Sequence, residues 1–328
     1  MTIITVWCLH TGMSMTWTLR CCVTSSLRVL LCLVTSLQYI VTSRAPAAAD
    51  VTCCRFNYLQ QVDNVCADVR SPPGQLLAVV LVCSAVENRA RRDAIRGSWG
   101  SPDHLRRLGL RVVFVLGRAD GRDGDVLDES RRHGDVVQAD FVDSYANLSV
   151  KSLVALRWAA EHAACARFVV KTDDDTFINA HLLSRDLAGT AHRRFVMGHV
   201  IARARPVRTR GAKWFTPVSL YAADVYPTYA SGAAYVISSD AVRPLLTAAA
   251  GSGVFGIEDV YVTGMLARAA GLQLIVNGKF DGYRAMADDC AVRSHIALHR
   301  ISADEMRRLW TIVTADPARL HCHSQTPN

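Results

Sequence analysis

The sequence predicts an α/β fold with a mostly parallel central sheet and helices on both faces. Three observations carry this. Residues 76–82 (Leu-Leu-Ala-Val-Val-Leu-Val) form an unbroken apolar run, as expected of a strand buried on both sides. Residues 112–116 and 168–170 repeat the pattern. Residues 89–99 and 147–164 lie between these runs and have helical period. Strands alternating with helices in this order imply parallel crossovers.

Residues 1–44 read as a cytoplasmic tail and signal-anchor. The apolar stretch 29–41 is broken by Thr35, Ser36 and Gln38, and is short of the roughly 20 residues a full span needs. Arg20 and Arg28 on its N-terminal flank favour a cytoplasmic N-terminus. The alternative is a cleaved signal, with Ala47-Ala48-Ala49 as small residues near a cleavage point. Residues 45–74 show no periodic element, end in Ser71-Pro72-Pro73-Gly74, and read as a stem. Residues 75–328 are the folded domain. Its strands are expected at 76–82, 112–116, 135–139 and 168–172. Its helices are expected at 89–99 and at 147–164, the latter with Val150, Leu153, Val154 and Trp158 on one face. The chain then reads as irregular up to Ala230, followed by a strand at 233–237 and helices at 240–250 and 259–270.

The 328 residues carry 37 Lys and Arg against 29 Asp and Glu, a net charge of +8 that suits anionic ligands. Arg193, Arg194, Arg203, Arg205, Arg208, Arg210 and Lys213 concentrate it, yet no recognition-helix, zinc-finger or RNA-binding pattern accompanies them, so nucleic acid is not expected as a partner. Seven of the 11 cysteines lie beyond residue 50: Cys53, Cys54, Cys66, Cys83, Cys165, Cys290 and Cys322. None forms a CxxC pair, and wide spacing behind an apolar segment suggests an oxidising lumen. An odd number leaves at least one free or paired between chains.

Gly251-Ser-Gly253-Val-Phe-Gly256 matches GxGxxG but follows a helix, which excludes a dinucleotide site. GxxxxGK[ST], GxSxG and HExxH are absent. Asn147-Leu148-Ser149 is the only glycosylation sequon, and Asn147 is also placed to cap the following helix. The strongest chemical signal is Asp173-Asp174-Asp175 at the end of the apolar run 168–172. Three carboxylates leaving a buried strand repel one another unless a cation or donors compensate them. Strand ends in α/β sheets are also where ligands bind. A hard divalent ion held with substrate phosphates fits this pattern; a solvated acidic turn is the bland alternative.

Separated segments decide between these. Arg92-Asp-Ala-Ile-Arg96-Gly-Ser98-Trp99 resembles RxxIRxTW of the β1,3-glycosyltransferases, and residues 140–151 resemble their DFxDxYxNLTxK stretch. Residues 168–175 resemble their DxD strand, and residues 226–235 their YPxYxSGxGY. Glu258-Asp259-Val-Tyr261 matches EDVY, and His299 to Trp310 resembles HxxSPEEMxxxW. Six motifs in order, from Leu76 to Cys322, resemble the β1,3-galactosyltransferases most. Three departures stand out: Ser98 for Thr, Ala233-Ala234 for a Gly-containing pair, and a residue added at Val262-Thr263 relative to EDVYVG.

The resemblance implies a GT-A fold and a metal-dependent, inverting enzyme. It would transfer galactose from UDP-galactose to the 3-hydroxyl of an acceptor sugar, terminal GlcNAc on a glycoprotein or glycolipid. Transfer of N-acetylglucosamine or N-acetylgalactosamine is the alternative, and an inactive sugar-binding relative a further one. A nucleotide phosphohydrolase would need a second metal cluster that the sequence lacks. Asp259 is expected as general base. Asp175 and His299 are expected to hold Mn²⁺. Arg92, Arg96, Lys171, Asp173, Asp174, Gly232 and Glu258 are expected on the donor side. The expected location is the Golgi membrane, single-pass type II, with the catalytic domain luminal and Asn147 glycosylated.

Overall fold

The structure, a computed structural model, describes residues 3–7, 14–18, 56–63, 65–66, 75–280 and 289–315. The apolar stretch 29–41, read above as a signal-anchor, lies outside them. Among the described residues no helix is long and apolar enough to cross a membrane. The chain divides into two units, residues 1–48 and 49–328. The first holds an antiparallel hairpin of β1 (Ile3–Trp7) and β2 (Ser14–Thr18).

The second unit is built on an eight-stranded sheet. Its strands are β3 (Tyr58–Gln60), β4 (Leu76–Cys83), β5 (Leu110–Arg118), β6 (Val136–Val142), β7 (Ala166–Asp173), β9 (Phe195–Ile201), β10 (Tyr229–Ser238) and β11 (Gln273–Val276), in the order β11-β9-β10-β7-β4-β5-β6-β3. The centre, β7-β4-β5-β6, is wholly parallel, as expected from the apolar runs. Strands β10 and β3 add antiparallel pairings on either side, and β11 pairs parallel with β9. A separate two-stranded sheet joins β8 (Thr176–Ile178) to β12 (Ala297–His299).

Alternation along the central strands divides the core in two. Val79 and Leu81 of β4 and Val113 and Val115 of β5 face one side. Ala78, Val80, Val82, Val112, Phe114 and Leu116 face the other. The first side packs against α4 (Leu148–His162) and α6 (Ser239–Ala250). The second packs against α1 (Arg89–Arg96), α2 (Pro102–Arg107), α5 (Ala180–Ala188) and α9 (Ala303–Thr314). Each fully buried Val or Leu contributes roughly 1.5–3 kcal/mol, so double-sided burial makes β4 and β5 the rigid centre.

Several elements depart from the sequence reading. The stretch read as a stem contributes β3, and its Val62 and Val65 are buried in the core. Cys66 is joined to Cys165 by a disulfide, while Cys83 is a buried free thiol. The span read as irregular contains α5 and β9. Asn147 does not cap α4 with its side chain; its Nδ2 donates to the Val142 carbonyl at 2.9 Å. The Ser144 hydroxyl caps the preceding 3₁₀ turn, Tyr145–Asn147, by accepting from the Asn147 amide.

Candidate active site

The C-terminal ends of β4 and β7 lie side by side, with Cys83 opposite Asp173. The chain turns at Asp174-Asp175, and the three carboxylates separate there. Asp174 is buried, and its Oδ2 accepts from Ser84 Oγ at 2.7 Å and Asn88 Nδ2 at 2.8 Å. Its Oδ1 accepts from Arg91 at 3.0 Å. Asp174 therefore ties the turn to the segment leading into α1, a correction to its expected donor-side role. Asp173 and Asp175 remain half-buried beside His299, each of the three offering a ligand atom within 4.8 Å of the others.

His299 reaches this place through β12, where it pairs with Thr176 of β8. The next residue, Arg300, has φ of 63°, and the Ile301 amide then donates to the Asp175 carbonyl at 2.8 Å. A left-handed non-glycine residue is uncommon, and here it marks the sharp return that leaves His299 Nε2 3.3 Å from Asp175 Oδ1. Burial pushes the Asp175 carboxyl up, but the hydrogen bond and charge of His299, with Arg91, outweigh it and hold it below the usual range. Two carboxylates and an imidazole are a donor set suited to a divalent ion such as Mn²⁺.

A second group stands on β10. Its register with β9 shifts between Ala230 and Tyr235, and Gly232 lies in this irregularity. The Gly232 carbonyl accepts from Lys171 Nζ at 2.7 Å. The same ammonium meets Asp173 Oδ1 at 2.7 Å and Glu258 Oε2 at 3.4 Å, matching its three protons with three oxygens. Burial pulls the Lys171 pKa down, but Asp173 and Glu258 raise it further, so the ammonium stays charged. Glu258 also accepts from Tyr235 Oη at 2.7 Å. Lys171 and Glu258 are thus buried beneath the site, with their polar atoms used in holding Asp173 and the β10 irregularity together.

Asp259 is the more open neighbour. Its Oδ2 accepts from the Gly232 amide at 3.1 Å and its Oδ1 from the Val260 amide at 2.9 Å. Burial first, then the charge of Glu258, pushes its carboxyl up to about 6. A group poised near neutrality is suited to take up a proton. The segment after it, Val260–Leu266, is π-helical before one α turn, α7 (Ala267–Ala269). Thr263, at the position where the sequence carries its added residue, donates from its buried hydroxyl to the Asp259 carbonyl at 2.6 Å.

Arg92 and Arg96 are corrected. Arg92 is 1% exposed. Its five N–H groups go to both carboxylate oxygens of Glu129 on α3 (Asp123–His133), to Ser84 Oγ, and to the carbonyls of Ala85 and Val86. No donor remains for a nucleotide. Arg96 clamps Asp135 at 2.7 and 2.8 Å and lies over the Phe114 ring. Asp135 lines a cleft at the N-terminal ends of the strands, the end opposite the carboxylates. Sequence reasoning missed Arg91, which is 3.0 Å from Asp174 and 3.9 Å from Asp175. It also missed Lys151, buried and paired with Asp143 at 2.6 Å while donating to the Ser84 carbonyl. Arg91 adjoins Arg92 in the motif, but only the helix phase reveals which arginine faces the carboxylates.

The Galactosyltransferase family model matches residues 90–277. The chain belongs to the galactosyltransferase family. It is 32% identical over 237 residues to Beta-1,3-galactosyltransferase 1 of Homo sapiens, covering 71% of this chain and 72% of that protein. It is 34% identical over 263 residues to Beta-1,3-galactosyltransferase brn of Drosophila melanogaster, covering 78% and 79%. A solved structure of galactosyltransferase LgtC with donor and acceptor sugar analogues aligns at a TM-score of 0.39 and 10% identity, covering 73% of this chain and 97% of that one. The family match spans the carboxylate turn, Gly232 and Asp259, and leaves His299 beyond its end.

Proposed function

We propose that this galactosyltransferase-family domain, of the GT-A type, moves galactose from UDP-galactose to the 3-hydroxyl of an acceptor sugar, with inversion to a β1,3 linkage. One observation carries the reading: Asp173, Asp175 and His299 converge, and Lys171 links them through Glu258 to the segment that presents Asp259.

Asp259 takes the proton from the acceptor hydroxyl as that oxygen attacks the anomeric carbon from the face opposite UDP. The new O–C bond forms as the C–O bond to the phosphate breaks, and the electron pair leaves with UDP. Each Asp259 oxygen accepts one backbone N–H and retains lone-pair capacity for the incoming proton. Asp173, Asp175 and His299 would hold Mn²⁺, which when bound neutralises charge on the departing diphosphate. Lys171 stays charged and fixes Asp173 against Gly232. Glu258 spends its oxygens on Tyr235 and Lys171 and acts through them.

The Cys66–Cys165 disulfide supports an oxidising compartment. With the apolar stretch 29–41 and the sequon, it motivates the reading of a type II Golgi membrane enzyme acting in the lumen on glycoprotein or glycolipid chains. The test of function uses the purified full-length protein with UDP-galactose and the β-methyl glycoside of N-acetylglucosamine. Transfer to the 3-position is expected with Mn²⁺, and Asp175→Asn should abolish it and weaken UDP binding. Full activity in excess chelator would remove the metal from the reading. Preference for UDP-N-acetylglucosamine or UDP-N-acetylgalactosamine would replace galactose as the donor sugar.

A further inference from the structure

Two aromatic rings are exposed at the end of the sheet that carries the chemistry. Tyr145 is 56% exposed and follows the C-terminal end of β6; Trp214 is 47% exposed and lies in the long connection between β9 and β10. Trp214 Nε1 donates to Tyr145 Oη at 3.0 Å. Lys213 Nζ lies 4.4 Å above the Tyr145 ring and 5.7 Å from that of Trp214. The hydrogen bond and the cation hold the two exposed rings together, so their faces are set in advance for a ligand.

Their place in the fold says what covers them. The Trp214 carbonyl accepts from Thr216 Oγ1 at 3.2 Å, and Thr216 bonds the Tyr226 hydroxyl at 2.7 Å. Tyr226 and Phe255 belong to the core on the α4 side of the sheet, and so do Val260 and Tyr261, which follow Asp259. Leu298 and Ile301, which flank His299, belong to the opposite core. The platform therefore stands on the base's side of the sheet, opposite the core that holds the segment carrying His299. Its connection returns to β10 through Pro227 and Tyr229, which pack against Gly264 of the π-helical segment. The inverting attack proposed above brings the acceptor to Asp259 from the face opposite UDP. The apolar C–H face of a pyranose matches a flat aromatic ring, and its hydroxyls match a neighbouring ammonium.

We propose that Trp214, Tyr145 and Lys213 bind the second sugar of the acceptor glycan, the one to which the accepting residue is attached. This rests on the function proposed above and names the acceptor class: a chain of at least two sugars. The experiment compares the β-methyl glycosides of N-acetylglucosamine and of GlcNAcβ1,3Gal with the full-length protein and Mn²⁺, using UDP for binding and UDP-galactose for transfer. Both equilibrium binding and transfer are measured. The disaccharide should be favoured about tenfold, close to 1.4 kcal/mol. Trp214→Ala should bring the ratio of the two kcat/KM values to about one, and Trp214→Phe, which keeps a ring, should restore most of it. A general folding defect lowers both substrates and preserves the ratio. An unchanged ratio in Trp214→Ala, or no wild-type preference in binding or transfer, overturns the platform. Preferential disaccharide binding without galactose transfer keeps the platform and overturns the proposed function.

Discussion

The amide of Gly232 donates to Oδ2 of Asp259 at 3.1 Å, so the irregularity in β10 directly orients the carboxylate assigned as base. A Cβ at Gly232 would lie 3.2 Å from Glu258 Oε2, 3.3 Å from Asp259 Cβ and 3.4 Å from Asp259 Oδ2. Both side chains are held by other bonds, so neither yields freely. Gly232→Ala should lower kcat by roughly 10–100-fold through misplacement of the base, with UDP affinity and melting temperature little changed. Steady-state kinetics beside a thermal melt separates this from unfolding.

Asp259→Asn should remove on the order of 10²–10⁴ in kcat and leave UDP affinity intact. In the wild type, the carboxylate must be ionised to accept a proton, and its carboxyl is pushed up to about 6. Turnover should therefore fall as pH drops through about 6. For stability the sign is opposite. A carboxyl raised in the folded state binds its proton more tightly there, so its contribution weakens as pH rises from about 4 to about 6. A pH–rate profile without a limb near 6, or wild-type turnover in the variant, would move the base elsewhere.

Arg92→Ala should destabilise by about 3 kcal/mol, because it takes from the buried Glu129 one of its two arginine partners and leaves Arg96 alone against it. Burial raises the Glu129 carboxyl, but the hydrogen bonds and charges of Arg92 and Arg96 outweigh it and bring it down to about 2. A depressed carboxyl contributes stability that is present above the ordinary value of about 4.5 and lost as pH falls towards about 2, up to about 3 kcal/mol for such a shift. Denaturant titrations from pH 7 to pH 3 should show this loss in the wild type. Arg92→Lys cannot reproduce the five-donor geometry and should recover little. A stable Arg92→Ala that merely binds UDP poorly would restore the nucleotide role set aside above.

Expressed through the secretory pathway, the full-length protein should carry a glycan at Asn147, lost in Asn147→Gln. The Ser149 hydroxyl is buried and donates to the Phe255 carbonyl at 2.6 Å, so modification must precede folding. A glycosylated amide keeps one N–H, enough for the bond from Nδ2 to the Val142 carbonyl. A mass shift on glycosidase treatment of the wild type alone is the expected readout. An unmodified protein would count against the luminal location.

The central strands were legible because burial on both faces writes an uninterrupted apolar run, as in β4 and β5. Strand β9 was not, since Phe195–Ile201 is interrupted by Gly198 and His199. Strands β3, β8 and β12 have three residues each, too few for any period. The site was legible as a set of residue types but not as directions. The sequence marks three aspartates alike, and only the turn separates Asp174, bonded to Ser84 and Asn88, from the pair beside His299. Arg92 and Arg91 differ by about 100° around α1, which decides that one is sealed in the core and the other meets the carboxylates. Periodicity placed a helix at 259–270, and apolar spacing alone does not distinguish its π turn.

The Cys66–Cys165 bridge closes a loop across 99 positions of sequence and ends just before β7 begins. The carboxylates stand where β7 finishes, a strand of 8 residues away, about 26 Å of extended backbone. Covalent reinforcement and chemistry thus occupy opposite poles of one strand. A reductant would shorten the working life of the molecule, by removing a restraint that on chain-entropy grounds contributes about 4–5 kcal/mol, while each molecule still folded would turn over at its ordinary rate.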